Sequence, residues 1–160
     1  METYAKIIAF LKEKGVSYRE LEHEAAGRSE EVAKVRGSQM HQGAKAMVLE
    51  GKLNKEERCY FLAILPADYR LDFKAIADYV QAEKVSLASP EKVLELTGCV
   101  VGTVPPISFN PGLTVLADPA LLDNQELVFN AGRLDCSIFV PANPFLEALS
   151  PVMLKISTSS

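Results

Sequence analysis

Ala44-Lys45-Ala46-Met47-Val48-Leu49 and, after the charged stretch Glu50 to Arg58, Tyr60-Phe61-Leu62-Ala63-Ile64-Leu65 decide the fold class of this chain. Two strongly apolar runs of strand length with a charged segment between them read as two core strands joined by a solvated loop. They are expected to lie side by side in one sheet. On the N-terminal side, Tyr4, Ile7, Ile8 and Leu11 fall at helical spacing after Thr3, and Gly15 stands where a helix stops, which predicts a helix over about 3–14. Ser17 to Leu21 reads as a short strand. Ser29 then opens a weaker helical pattern through Val32, Ala33 and Val35 that ends at Gly37.

Downstream of the paired runs, Asp72 to Val80 is helical and Lys84 to Ala88 strand-like. Ser89-Pro90-Glu91 supplies an N-cap, a proline at the first helical position and an acid in the first turn, and Gly98 ends that helix. Short strands are predicted near Leu113–Ala117, Leu127–Asn130 and Ser137–Val140, with Asp118-Pro119 and Asn143-Pro144 each suited to start a short helix. The order is mixed rather than a regular βαβ alternation. The expectation is one α+β domain over residues 1–160 with a curved, largely mixed sheet and no repeat, low-complexity tract or linker.

Composition narrows the function classes. A chain of 160 residues with 48% hydrophobic and 24% charged residues is an ordinary single-domain balance. At this size roughly 70% of the unfolded surface is buried on folding, so stability requires neither a metal nor a disulfide framework. Cys59, Cys99 and Cys136 are odd in number and widely spaced, and the chain has two histidines, which leaves little material for a metal site and points to reduced thiols in a cytoplasmic protein. Glu2, Lys6, Lys12 and Glu13 interrupt the apolar residues of the N-terminus, and no segment approaches the ~20 apolar residues of a membrane span. A net charge of −4 argues against a long nucleic-acid footprint on a broad basic surface. It leaves open a protein that handles only the terminal nucleotide of an RNA.

Four places could carry chemistry. Lys45 sits among Gly43, Ala44 and Ala46, small residues that let a ligand approach closely. It is either a strand-start lysine with its amine in water, the more ordinary case, or a clamp for a phosphate or polarised carbonyl. Val101-Gly102-Thr103-Val104-Pro105-Pro106 is too rich in glycine and proline for regular pairing, so it is either a rigid turn or a source of free amides for an oxyanion hole. Asn130-Ala131-Gly132-Arg133, with Asp135 after it, closes an apolar strand and reads equally as a loop or as a site. His23 is either a base or a surface histidine between Glu22 and Glu24, and His41 has the weaker claim because Gln39 to Gly43 reads as a loop. The chain has no G-x-S-x-G elbow, P-loop, G-x-G-x-x-G or H-E-x-x-H motif, which sets aside a serine-nucleophile esterase, nucleotide hydrolysis, dinucleotide redox chemistry and zinc proteolysis.

Taken in order, Gly43-Ala44-Lys45-Ala46, Leu62 to Asp68, Leu87 to Glu91, Leu96 to Gly102 and Asn130-Ala131-Gly132-Arg133 resemble the successive blocks of the YbaK/prolyl-tRNA-synthetase-associated family, from about His23 to Val140. Asparagine in Phe129-Asn130-Ala131-Gly132 makes the chain most similar to the stand-alone YeaK-like branch. The resemblance implies a mixed, barrel-like sheet flanked by helices and an aminoacyl-tRNA deacylase activity without cofactor or metal. The implied partners are the acceptor end of a mischarged tRNA and, beyond it, an aminoacyl-tRNA synthetase.

By the same resemblance the family's essential lysine is Lys45 and its glycine-to-proline loop is Gly102, Thr103, Val104, Pro105 and Pro106. Its strand-end motif is Asn130, Ala131 and Gly132, with Asp135 as a further match and His23 assigned to the pocket. The expected mechanism places the ester carbonyl on the loop amides, with Gly102 and Thr103 as catalytic positions, and uses Lys45 to fix the terminal phosphate or ribose. Asn130 and Asp135 line the pocket for a small amino acid such as Ser, Ala or Thr. The competing readings are a non-catalytic module that binds an acceptor end or an amino-acid-like ligand, and a general small-ester hydrolase.

Overall fold

In the computed structural model, which describes residues 2–26 and 29–159, the chain opens with helix α1 (Thr3–Glu13), whose fully buried residues are Ile7 and Leu11. Strand β1 (Arg19–Glu22) and helix α2 (Ser29–Arg36) lead into a long antiparallel hairpin of β2 (Ala44–Lys52) and β3 (Arg58–Pro66). Then come β4 (Tyr69–Leu71), α3 (Phe73–Val80), β5 (Lys84–Leu87) and α4 (Pro90–Thr97). The last third holds β6 (Leu113–Ala117), β7 (Glu126–Asn130), β8 (Cys136–Pro141), α5 (Ala142–Leu149), β9 (Val152–Met153) and β10 (Ser157–Ser159).

The α+β class and the mixed sheet are as expected, and the paired apolar runs are neighbours, in register from Ala44↔Pro66 to Lys52↔Arg58. The ladder runs further into the charged stretch than predicted. Only residues 53–57 form the loop, because Tyr60 donates to Glu50 across the strands at 2.9 Å and the Asn54 side chain accepts the amides of Glu56 and Glu57. Strand β3 is buried on both faces. Leu62 and Ile64 point into a core shared with Ile7, Leu11, Leu127, Ile138 and Phe145, while Phe61 and Ala63 point into a second core with Leu49, Ile76 and Leu116. Each such large apolar side chain contributes ~1.5–3 kcal/mol by leaving water.

The mixed sheet is built in parts, with the pair β10-β4 beside two larger sheets. A five-stranded sheet of order β5-β2-β3-β6-β9 and a three-stranded sheet of order β1-β8-β7 meet at a single parallel bridge between Gly43 and Val128. That seam is where the chain opens to solvent as a cleft. The capping signals around α4 act as read: Ser89 Oγ accepts the Lys92 amide at 3.2 Å, and Gly98 ends the helix at φ 73°. Helix α5 begins at Ala142, two residues before the predicted Pro144, and a proline in the first turn is tolerated there because its missing N–H has no helical partner to lose.

The short strands β4, β9 and β10 were not predicted. Asp118 holds the C-terminal segment in place: its buried carboxylate accepts the amides of Ala120, Ile156 and Ser157 and the Ser157 hydroxyl at 2.7–3.0 Å.

Candidate functional site

At the seam lies a cavity of about 270 Å³. It is walled by the C-terminal turn of α2, by Gln39, Met40 and Gly43, the start of β2, Ala67, the end of β5, by Val101, Gly102 and Val104, and by the end of β7. Its volume lies close to the lower end of the ~300–1,000 Å³ usual for ligand pockets.

Lys45 projects from β2 into this cleft, half-buried, with Nζ donating to the Ala67 carbonyl at 3.4 Å. Burial, the larger influence, pushes its pKa down, and the charge of Asp68 pushes it up. The small neighbours are required by packing. A Cβ on Gly43 would stand 3.0 Å from the Ala67 Cβ and 3.2 Å from the Met40 carbonyl oxygen, and the Gly43 carbonyl itself accepts the Ala67 amide at 2.8 Å.

The opposite wall is a β-turn. The Thr103 amide donates to the Val100 carbonyl at 3.1 Å, and Gly102, third in the turn, has φ +93°, the positive value a type II turn reserves for glycine. Asn130 Nδ2 donates to the Gly102 carbonyl at 3.2 Å, so the peptide between Gly102 and Thr103 is held from both sides. Asn130 Oδ1 in turn accepts from Arg36 Nη2 at 2.7 Å, and Arg36 Nε donates to Ser137 Oγ at 2.6 Å. His23 stands behind Ser137, with Nε2 at 2.7 Å from Ser137 Oγ and Nδ1 at 2.8 Å from the Glu24 carbonyl. Because a carbonyl only accepts, this network assigns the proton to Nδ1 and makes Nε2 the acceptor of the Ser137 hydroxyl. The relay thus runs from Glu24 through His23, Ser137, Arg36 and Asn130 to the turn.

Among the described residues, the amides of Gly102 and Val104 donate to no acceptor, and both residues line the cleft. The sequence-predicted site divides accordingly. Lys45, Gly102, Val104 and Asn130 are brought together; the others are not. Thr103 turns both its amide and its hydroxyl onto the Val100 carbonyl, which withdraws its amide from the expected oxyanion role. Pro105 and Pro106 are buried behind the loop and have no N–H to offer. Ala131 is fully buried, and Gly132 backs onto α1, where a Cβ would come within 2.8 Å of the Thr3 methyl. Asp135 lies outside the cleft, ion-paired with Arg133 at 2.8 Å, and that bond holds its carboxyl below the usual range. His23 supports the relay and does not line the cleft.

Sequence reasoning missed Arg36, Gln39, Met40 and Leu87 as cleft residues. His41, expected in a loop, lies in a 3₁₀ turn (Met40–Gln42), with Nδ1 2.9 Å from Asp68, Nε2 3.3 Å from Asp123 and its ring against Tyr69. Among the described residues no cluster of three or more His, Cys, Asp or Glu is arranged to hold a metal ion, and the three cysteines are unpaired.

The sequence matches the family model of the aminoacyl-tRNA editing domain over residues 23–147. It is 41% identical over 153 residues to the multifunctional Ser/Thr-tRNA deacylase ProXp-y of Escherichia coli (strain K12), covering 95% of this chain and 91% of that protein. Two crystal structures share the fold. A hypothetical protein superposes with TM-score 0.84 at 24% identity over 96% of this chain and 99% of its own. A structure described provisionally as a trans-editing enzyme for prolyl tRNA synthetase superposes with TM-score 0.82 at 23% identity over 99% of each chain.

Proposed function

The chain belongs to the aminoacyl-tRNA editing domain family, and we propose that it acts in trans on tRNA mischarged with serine or threonine, hydrolysing the ester in the cleft of Lys45. The observation that carries this reading is the pair of unspent amides, Gly102 and Val104, on a pinned turn that faces the same cleft as Lys45.

An aminoacyl ester is already activated, so the protein has only to position water and stabilise the oxyanion that forms on the carbonyl. The Gly102 and Val104 amides receive that oxygen. Lys45 holds the ribose or phosphate end so that the ester lies over the turn, and the adjacent ribose 2′-hydroxyl assists the attacking water. No covalent intermediate is formed. The cleft walls near Lys45 are Ala44, Ala46, Ala67 and Ala88, which favour a small side chain. Mischarged serine and threonine are also what the curated relative is named for.

Residues 1–160 work as one editing unit in the cytoplasm, next to the aminoacyl-tRNA synthetase whose errors it clears. Among the described residues no helix is long and apolar enough to cross a membrane. The test is a panel of mischarged tRNAs. Seryl- and threonyl-tRNA are hydrolysed, and esters of bulky amino acids are spared. Absence of turnover on every small amino acid refutes the reading.

A further inference from the structure

Among the described residues Arg36 is a half-buried cation without a counter-ion. Its guanidinium lies on the cleft wall at the last residue of α2, and among the described residues no carboxylate pairs with it. Two of its three nitrogens are bound to the neutral acceptors Ser137 Oγ and Asn130 Oδ1. The third, Nη1, makes no hydrogen bond among the described residues and lies over Gly43, 3.9 Å from where a Cβ on that residue would stand. Burial pulls the guanidinium pKa down to about 10.

Taking a charge out of water without a partner costs several kcal/mol, and folded proteins ordinarily offset this with a carboxylate. Here the nearest compensation is the weak negative end of a short helix. Further donors stand beside it on the cleft wall: the Lys45 ammonium, which donates to the Ala67 carbonyl at 3.4 Å, and the Gly102 and Val104 amides, which meet no acceptor among the described residues. Unspent donors beside a cation that no described carboxylate meets suit an anionic group.

We infer that Arg36 is the receptor for a phosphodiester, the one that joins the last two nucleotides of the substrate's acceptor end. The identity of that phosphate rests on the deacylase reading; the anion site does not. A fork of parallel N–H groups suits phosphate better than a point charge does, and Ser137 and Asn130 lock the fork in orientation. This leaves Lys45, whose charge is already partly met by Asp68, for the ribose and the ester.

The test measures binding without turnover, so it stands whether or not the protein deacylates. Three probes are titrated by calorimetry at fixed ionic strength: inorganic phosphate, the dinucleotide CpA with its single phosphodiester, and adenosine, which has none. Wild type binds CpA at least ~10-fold more tightly than adenosine, the factor expected of one charge-assisted contact. Inorganic phosphate competes with CpA. In Arg36→Gln the preference for CpA collapses toward one, with circular dichroism unchanged.

Equal affinity of wild type for CpA and adenosine overturns the proposal. So does an Arg36→Gln protein that keeps the preference while losing turnover, since Arg36 would then act only by supporting Asn130. Should Arg36→Gln not fold, Arg36→Lys, which keeps the charge and loses the fork, is read by the same criterion. A weakened preference supports the site, and an undiminished one overturns it.

Discussion

Replacing Gly102 separates backbone from side-chain catalysis, because a Cβ at this position meets nothing within 4 Å and can act only through the φ of +93°. A non-glycine residue held in such a region costs ~1–3 kcal/mol, least for asparagine and most for a β-branched residue. Against this strain stand the two hydrogen bonds that fix the turn, Thr103 to Val100 and Asn130 to Gly102, worth ~1 kcal/mol each. Asparagine is therefore carried, alanine sits at the margin, and valine exceeds what the turn withstands, so its amide swings away from the cleft. Losing one oxyanion donor costs about 3 kcal/mol, or ~100-fold in rate. The expected order of single-turnover rates on seryl-tRNA is wild type and Gly102→Asn together, Gly102→Ala several-fold slower, and Gly102→Val slower by ~100-fold. Stability falls by no more than the ~2 kcal/mol of the two released bonds, as urea unfolding will show. Thr103→Ala keeps its amide bond to Val100 and is mild. If Gly102→Val stays within a few-fold of wild type, or Thr103→Ala is the more damaging change, the amides are not the oxyanion hole.

Three further outcomes are expected. Lys45→Ala abolishes deacylation without unfolding, and Lys45→Arg also loses most of it, since a planar fork does not replace a compact ammonium beside Ala67; near-wild-type rates in either folded variant remove Lys45 from the mechanism. Burial is the largest single influence on His41 and works against its charge, but the hydrogen bonds and charges of Asp68 and Asp123 together raise its pKa above the ordinary 6.5. With the folded value raised, the stabilisation is fully present below about 6.5 and fades as pH rises through the folded value, so the Tm gap between wild type and His41→Asn narrows toward alkaline pH; a widening gap contradicts this. Asp118→Ala strands the buried amides of Ile156 and Ser157 and costs roughly 3 kcal/mol or more in urea unfolding, whereas a loss below ~1 kcal/mol shows that the C-terminal segment is not held by this carboxylate.

The parts of the fold legible in the sequence are those specified by neighbours along the chain. The β2–β3 hairpin announces itself because β3 is buried on both faces and so cannot be anything but an apolar run. Ser89 and Gly98 bracket α4 through hydrogen bonds and a φ value that depend on three or four residues. By contrast β9 and β10 contain two and three residues and exist because Asp118 gathers amides 38 and 39 positions away. No local pattern encodes that.

Within the site the same rule explains which of the expected residues the cleft brings together and which it does not. Lys45 was visible because a charged residue among small ones at a strand start is a local anomaly. Arg36 was not, since an arginine closing a helix looks like any cation placed against the dipole, and what sets it apart comes from Asn130 and Ser137, 94 and 101 positions on. Ala131 is fully buried beyond the end of β7, and proline has no amide to give an oxyanion. That the Thr103 amide is engaged shows only in the structure. Whether an amide is free is decided by what fails to approach it, and the Val100 carbonyl reaches Thr103 while nothing among the described residues reaches Gly102 or Val104. Which donors of this cleft are left unsatisfied is thus a property of the folded whole.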